Sequence, residues 1–146
     1  MSNKRSQARH LALQALYQWQ VAGQDLGDIE SQFLEEQEPN SFDLEMFRDF
    51  LHRIPTQVSA LDALVEPLLD RPLSQVDPVE RAILRIGTFE LKEHLEIPYA
   101  VVINEAVELA KVFGAEQGHR YVNGVLDKLS RRLRPAEAAA RRRRPG

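Results

Sequence analysis

Apolar residues recur every three or four positions along most of this chain, which is the spacing that buries one face of an α-helix. Six apolar residues line one side of the first such segment, residues 4–22: Ala8, Leu11, Ala12, Ala15, Leu16 and Trp19. No segment alternates apolar and polar residues convincingly, as a half-buried β-strand would. The sequence therefore predicts an all-α fold.

Proline, glycine and capping residues divide this pattern into about seven predicted helices. Pro55 interrupts the longest periodic segment and predicts a kink or restart near Ile54. Asp77 is a suitable N-cap, Pro78 fits the first helical position, and Glu80 follows the cap at the spacing of a capping box. The predicted helical segments are 4–22, 28–37, 43–69 with its break at the proline, a helix that starts after Asp77, 98–113 and 116–133.

Short connections between these segments indicate one helical domain over residues 1–134, made of two small helical subdomains. We expect the two lobes to span about 1–69 and 76–134. At 146 residues the chain is long enough to bury a substantial apolar core. The last residues, PAEAAARRRRPG, have no apolar period, so we expect 135–146 to form a disordered basic tail.

The composition argues against an enzyme and against a bound metal or cofactor. The chain has no cysteine, which excludes disulfides, thiolate metal sites and a cysteine nucleophile. Its four histidines lie in separate segments without the spacing of metal ligands, and no glycine-rich phosphate loop or nucleophile elbow occurs. Neither a secretory signal nor a run of about 18 apolar residues is present, so we expect a cytoplasmic protein with no membrane partner.

Charge is distributed unevenly along the chain. The first 22 residues carry three cations and no acid, residues 23–70 carry twelve acids and two arginines, and residues 135–146 carry four arginines and one glutamate. Basic ends around an acidic middle suggest a polyanionic partner that the ends contact. The alternative is that these charges are only scattered solvated faces.

The last predicted helix carries a row of side chains that core packing does not explain. Gln117, Arg120, Tyr121, Gly124 and Lys128 recur at spacings of three and four. The cations suit phosphates, the ring suits base stacking, and the glycine leaves room for a ligand. Unpaired N–H groups at the start of this helix would also favour a phosphate. The alternative is that the tyrosine is half-buried packing and the glycine permits close helix contact.

The first predicted helix adds a second candidate set. Arg5, Arg9, Leu13 and Tyr17 follow one another at four-residue intervals and so share one row. Two cations followed by an aromatic ring are typical of single-stranded RNA binding. The alternative is a solvated helix start. Because a bare charge patch does not require aromatic rings within it, the two sets together favour RNA over a generic basic surface.

Three motifs in order, ARHLALQALYQWQ, VERAILRIGTFEL and IPYAVVINEAVELAKVFGAEQGHRYVNGVLDKL, resemble the NusB family of bacterial transcription antitermination factors over residues 5–134. The resemblance implies a non-catalytic protein with two small helical subdomains. It implies binding to the boxA element of nascent ribosomal RNA leaders, together with the small-subunit ribosomal protein NusE. That complex would join RNA polymerase and other Nus factors and let transcription pass terminators.

The resemblance also assigns roles to particular positions. A protein-partner strip is expected to face outward on the helix after Asp77, at Glu80, Arg81, Arg85 and Thr88. The family often has an acid at Gln117 and phenylalanine at Tyr121; losing the acid should favour RNA, and tyrosine keeps the stacking ring. The expected RNA-binding residues, combined with the rows above, are Arg5, Arg9, Tyr17, Gln117, Arg120, Tyr121 and Lys128.

Other interpretations remain open at the level of sequence. The chain also resembles the N-terminal RNA-binding region of some ribosomal RNA cytosine methyltransferases, although it has no cysteine to act in catalysis. A third hypothesis is a helical protein–protein adaptor in which the tyrosines only pack. An exposed row with Leu13 and Tyr17 would also allow a homodimer when RNA is absent. Asn104 and Asn123 are interpreted as structural, with Asn123 the better candidate for an RNA contact.

Overall fold

The computed structural model describes residues 3–143, with side chains for residues 3–140, and within these residues it contains helices and no strand. The all-α prediction is confirmed. Two short 3₁₀ turns, Glu66–Leu68 and Leu73–Gln75, connect the fourth and fifth helices. The eight helices of the described chain are α1 (Lys4–Ala22), α2 (Leu26–Glu36), α3 (Leu44–Thr56), α4 (Val58–Val65), α5 (Pro78–Glu93), α6 (Tyr99–Phe113), α7 (Gly118–Leu133) and α8 (Pro135–Arg143).

The chain divides into two compact units, and the boundary lies earlier than the sequence predicted. The first unit ends at Val58 and the second begins at Ser59, rather than after residue 69. The break follows Pro55, because α3 ends one residue after this proline and α4 restarts two residues later. Residues 59–75 belong with the second unit because Leu61 and Val65 are fully buried and Asp62 pairs with an arginine of α5.

The first unit is built from α1, α2 and α3, each in contact with the other two. Asn3 caps α1 by accepting a hydrogen bond from the Ser6 N–H at 2.7 Å. The helix ends at Ala22, and the left-handed backbone of Gly23 (φ 66°) caps it, as predicted. Aromatic rings of α2 and α3 pack within the unit, with the Phe33 and Phe47 centroids 6.2 Å apart. This unit positions the exposed start of α1.

The second unit centres on α5, α6 and α7, which pack on one another. The predicted cap of α5 is confirmed, since the Asp77 carboxylate accepts hydrogen bonds from the N–H groups of Val79 (3.0 Å) and Glu80 (3.2 Å). Gly87 lets α5 approach α7 closely: a methyl group at this position would lie 2.6 Å from Cδ1 of Leu126. Packing on two sides buries most of α5 and leaves one face of α7 in solvent.

The prediction of a disordered tail from residue 135 is wrong for the part of the tail that the structure describes. Residues Pro135–Arg143 form α8, and Ala138 is buried. Glu137 accepts hydrogen bonds from the Tyr99 N–H (2.8 Å) and from Arg134 (3.2 Å). Alanine and arginine have high helix propensity, so this segment forms a helix although it has no apolar period. Residues 144–146 lie outside the described chain.

Buried Arg134 joins α7 to the connection between α5 and α6. Its guanidinium donates hydrogen bonds to four backbone carbonyls, and the side chain is almost inaccessible to solvent. The acceptors are the carbonyl oxygens of Glu90 (3.0 Å), Leu91 (3.1 Å), His94 (2.8 Å) and Ile97 (2.5 Å). These carbonyls lie at the end of α5 and in the following turn. The Glu90 and His94 oxygens also accept the backbone N–H groups of His94 (2.9 Å) and Ile97 (3.0 Å). The arginine therefore fixes the path of the chain into α6.

Among residues 3–143, none of the helices combines the length and the apolar character needed to cross a membrane.

Candidate nucleic-acid interface

The four residues of the predicted row that lie within α7 share one face, as their spacing indicated: Arg120, Tyr121, Gly124 and Lys128. Gln117 precedes the helix with a left-handed backbone (φ 74°), and Arg120, Gly124 and Lys128 are exposed along it. Tyr121 is half-buried among them. A methyl group at Gly124 would meet no atom within 4 Å, so this glycine does not serve close helix packing. It leaves a patch of bare backbone in solvent, one turn from the tyrosine.

The two cations of this row are free to meet a ligand. Neither Arg120 nor Lys128 forms an ion pair with any residue of the described chain. Further along α7, Arg131 is paired with Asp127 at 2.7 Å, which neutralises that acid. Asn123 is exposed next to the glycine, so it is placed to reach a ligand rather than to tie down a neighbouring helix. This face of α7 is therefore cationic and polar, with one aromatic ring.

Asp70 and Arg71, which the sequence analysis did not select, surround the ring of Tyr121. The Arg71 guanidinium carbon lies 5.0 Å from the ring centroid, within the range of a cation–π contact. The same guanidinium donates to both Asp70 carboxylate oxygens, at 2.7 and 3.0 Å. The Tyr121 hydroxyl donates to one of them at 3.3 Å. These partners lie about fifty positions from the tyrosine, so no periodic pattern could have indicated them.

The electrostatics of this cluster follow from its hydrogen bonds. The hydrogen bond from Arg71 lowers the pKa of Asp70, and the same bond raises the pKa of Arg71. Partial burial raises the pKa of Tyr121, and the nearby Asp70 charge raises it further. At neutral pH the cluster is therefore a carboxylate, a guanidinium and a neutral phenol, and its formal charges cancel.

The start of α7 is not the open phosphate site that the sequence suggested. A methyl group at Gly118 would lie 2.5 Å from Oε1 of Glu80, so this carboxyl group packs directly against the glycine. Burial raises the pKa of Glu80, and the charge of Asp77 adds to the effect. A phosphate at this turn would meet an acid. The exposed cations further along α7 are better placed to bind one.

The row predicted on α1 is only partly exposed. Arg5 is exposed and Tyr17 is 38% exposed, but Arg9 and Leu13 are each only 2% exposed. The expectation that all four face solvent is therefore wrong for the two middle residues. The physical reason is that α1 buries residues on more than one side: Ala8, Arg9, Leu11, Ala12, Leu13, Ala15 and Leu16. A homodimer patch that includes Leu13 is excluded for the same reason.

The prediction of an outward-facing strip on α5 is wrong for Thr88 and Arg85, whereas Glu80 and Arg81 are partly exposed. Thr88 is fully buried, and its hydroxyl donates to the Leu84 carbonyl at 2.7 Å. Arg85 donates to both carboxylate oxygens of Asp62, at 2.9 and 2.8 Å. Arg81 is partly buried, and its Nε has no hydrogen-bond partner in the described chain. Because α5 packs against both α6 and α7, Thr88 and Arg85 bond to partners within the second unit.

Within the described chain, no cluster of three or more histidine, cysteine or acidic side chains could hold a metal ion.

The two candidate RNA sets fall in different units: Arg5 and Tyr17 in the first, and the α7 row in the second. The arrangement on α7 can bind a polyanion through its cations while a flat group stacks on the tyrosine.

Comparison with known proteins assigns the family. The model of the NusB family matches residues 6–131. The transcription antitermination protein NusB of Alcanivorax borkumensis is 57% identical over 140 residues, which cover 96% of this chain and 93% of that protein. The corresponding protein of Hahella chejuensis is 54% identical over 137 residues, covering 94% and 92%.

Solved structures agree with this assignment. NusB of T. maritima is 31% identical, superposes with a TM-score of 0.78, and the match covers 96% of this chain and 99% of that one. A chain from a crystal structure of antitermination factors NusB and NusE in complex with double-stranded RNA is 26% identical, with a TM-score of 0.77 and coverage of 90% and 99%.

Proposed function

The chain belongs to the NusB family of transcription antitermination proteins, and on this premise we propose that it acts by binding RNA and protein partners, without catalysis. Its RNA is the boxA-type single-stranded element of nascent ribosomal RNA leaders, and its protein partner is the ribosomal protein NusE. The bound complex joins RNA polymerase and other Nus factors in the cytoplasm and helps transcription pass terminators. The solved complex of NusB and NusE with double-stranded RNA supports RNA and NusE as the classes of partner.

The exposed face of α7 is the observation that carries the RNA proposal. Arg120 and Lys128 hold two charges in solvent without ion-pair partners in the described chain, and Gly124 keeps the surface between them open. A glycine inside a helix is less favourable than alanine by roughly 0.5–1 kcal/mol, so an exposed one without a packing role is a cost to stability. A ligand that approaches the backbone at this point explains the cost.

The half-buried ring of Tyr121 favours single-stranded over double-stranded RNA. Stacking on an aromatic side chain requires a base that has left its own stack, as bases do in single strands and loops. Such stacking contributes roughly 1–3 kcal/mol per base. We propose Arg5, Tyr17, Gln117 and Lys128 as further contacts, since all four are exposed. Arg9 is buried, so we propose that it supports α1 rather than touching RNA.

The proposed NusE surface contains only two of the four residues expected on α5. Of the four residues expected on α5, Glu80 and Arg81 keep partial exposure, and we propose these two as contacts. Arg85 is fixed by its carboxylate partner and Thr88 is buried, so both would shape the helix without meeting the partner. The Arg81 Nε is buried without an acceptor in the described chain, so a bound protein would contact the exposed part of this side chain and not that atom.

The likeness to the N-terminal region of ribosomal RNA methyltransferases gives a weaker account. The two NusB relatives above match over more than nine-tenths of their own length, so the similarity is to whole antitermination proteins. A protein-only adaptor would leave the open cations of α7 without a purpose. It also predicts little dependence of binding on salt, whereas phosphate contacts give a steep one.

The test is fluorescence anisotropy with a labelled boxA-like RNA and a scrambled RNA, with and without NusE, at several salt concentrations. We expect the boxA-like RNA to bind more tightly and NusE to increase this preference. Tyr121→Ala should weaken binding about tenfold or more, because it removes the stacking ring. Equal, weak binding of both RNAs would support the adaptor instead.

Two exposed lysines on neighbouring helices provide a matched control. Lys128→Ala should weaken binding and lower the log–log salt slope by about one, the amount expected for one lost phosphate contact. Lys111→Ala removes the same charge from α6, where the lysine lies 3.5 Å from Glu108. Equal effects of the two substitutions would mean that only net charge matters, and the α7 site would be refuted.

A further inference from the structure

The ring of Tyr121 is partly covered in the free protein. Arg71 lies over it, and Asp70 holds that guanidinium through two hydrogen bonds while also accepting one from the tyrosine hydroxyl. The covering side chains are exposed, the arginine at 46% and the aspartate at 63%. The cover is therefore a surface contact, and exposed ion pairs of this kind contribute little to stability.

The geometry of the pair indicates what can replace it. Asp70 occupies the guanidinium with both of its oxygens, and the fork that matches a carboxylate in this way also matches a phosphate. Arg71 is adjacent to the ring proposed to stack on a base. In a single strand, each base is joined to a phosphate close by. An arginine that lies against a stacking ring is therefore within reach of the backbone of the stacked nucleotide.

We propose that Arg71 is an RNA-binding residue and that Asp70 stands in for the RNA phosphate until RNA binds. The inference rests on the proposed RNA-binding function and adds a self-masking contact to it. When a nucleotide stacks on Tyr121, its phosphate takes the guanidinium from the carboxylate. Asp70 then competes with RNA, which weakens loose attachment to any polyanion and favours RNA that can also stack.

Substitutions of the pair test this inference with the same boxA-like and scrambled RNAs. Arg71→Gln should weaken boxA-like binding roughly 3- to 10-fold and lower the log–log salt slope by about one. Asp70→Asn should strengthen binding about threefold or more, because the competing charge is lost. In the presence of Arg71→Gln, the Asp70→Asn substitution should bring no such gain, since the carboxylate acts through the arginine.

A matched control separates this effect from simple loss of an acid. Asp49 and Arg53 form another aspartate–arginine pair, 3.0 Å apart on α3, in which the arginine is exposed and the aspartate is partly buried. Asp49→Asn changes the net charge by the same amount, and we expect it to leave RNA affinity within about twofold of the unmodified protein. Far-ultraviolet circular dichroism of each variant shows that helicity is retained.

The outcomes distinguish this inference from the function beneath it. If the unmodified protein does not prefer boxA-like RNA, the proposed function and the inference fail together. If that preference is present but Arg71→Gln binds normally, or Asp70→Asn strengthens binding no more than Asp49→Asn, the masking contact is refuted while the function stands. A gain from Asp70→Asn that persists in the Arg71→Gln protein also refutes it.

Discussion

The same substitution at two glycines should change stability in opposite directions. Gly124 and Gly87 both lie inside helices of the second unit, and both are replaced by alanine. At Gly124 the new methyl group would meet no atom within 4 Å, so it adds helix propensity without strain. At Gly87 it would come within 2.6 Å of Cδ1 and 3.0 Å of Cδ2 of Leu126, a fully buried side chain.

The magnitudes follow from these surroundings. Alanine in place of an exposed helical glycine stabilises a protein by about 0.5–1 kcal/mol, so Gly124→Ala should raise the unfolding midpoint by roughly 1–4 °C. Overpacking a core costs about 1–3 kcal/mol, which exceeds the gain in helix propensity, so Gly87→Ala should lower the midpoint. Thermal unfolding followed by circular dichroism measures both changes.

The Gly124→Ala substitution should also weaken RNA binding. The methyl group of Gly124→Ala stands on the bare patch beside Tyr121, so the more stable protein should bind boxA-like RNA several-fold more weakly. A lowered midpoint for Gly124→Ala would refute the conclusion that this face is open. A raised midpoint with unchanged RNA affinity would show that the patch is ordinary surface.

Two further predictions concern the second unit. Arg134→Lys should lower the free energy of unfolding by about 2–4 kcal/mol in urea titrations, because an ammonium group cannot donate to four separate carbonyls; a loss below about 0.5 kcal/mol would contradict this account. Burial holds the pKa of Glu80 above its usual 4.5, so the unfolded state releases this proton more readily than the folded state does. The contribution of Glu80 to the free energy of unfolding is therefore fully present below pH 4.5 and is lost as pH rises through the pKa of the folded state. Glu80→Gln should remove this part of the pH dependence as pH rises above 4.5, and an unchanged profile would refute it.

Features set by neighbouring residues could be predicted from the sequence. The Asp77 cap, the stop at Gly23 and the break after Pro55 depend on backbone groups a few positions away, and all three are present. The face shared by the α7 row also follows from helical periodicity alone. Local chemistry therefore fixed most of the helix ends and the order of elements.

Features set by distant partners could not be predicted in this way. The ring of Tyr121 meets Asp70 and Arg71, which lie in the connection after α4 and have no periodic relation to α7. The burial of Arg9 depends on α1 packing on more than one side, which its row of spacings does not reveal. Helical periodicity gives the direction in which a side chain leaves the helix axis. It does not give the number of other elements that pack around that helix.

Polar side chains on α5 and α7 differ in how their hydrogen-bonding capacity is used. On α5, Thr88 bonds a carbonyl one turn earlier and Arg85 holds a carboxylate, because a helix packed on two sides must satisfy its polar groups internally. On α7, Arg120 and Lys128 have no ion-pair partner in the described chain, so their charges are balanced by solvent until a ligand arrives. Residue type alone marks both helices as equally suited to binding. What separates them is which groups already have a partner. By this criterion RNA should occupy the face of α7, together with Arg71, which lies beside it and is paired with Asp70 until RNA binds.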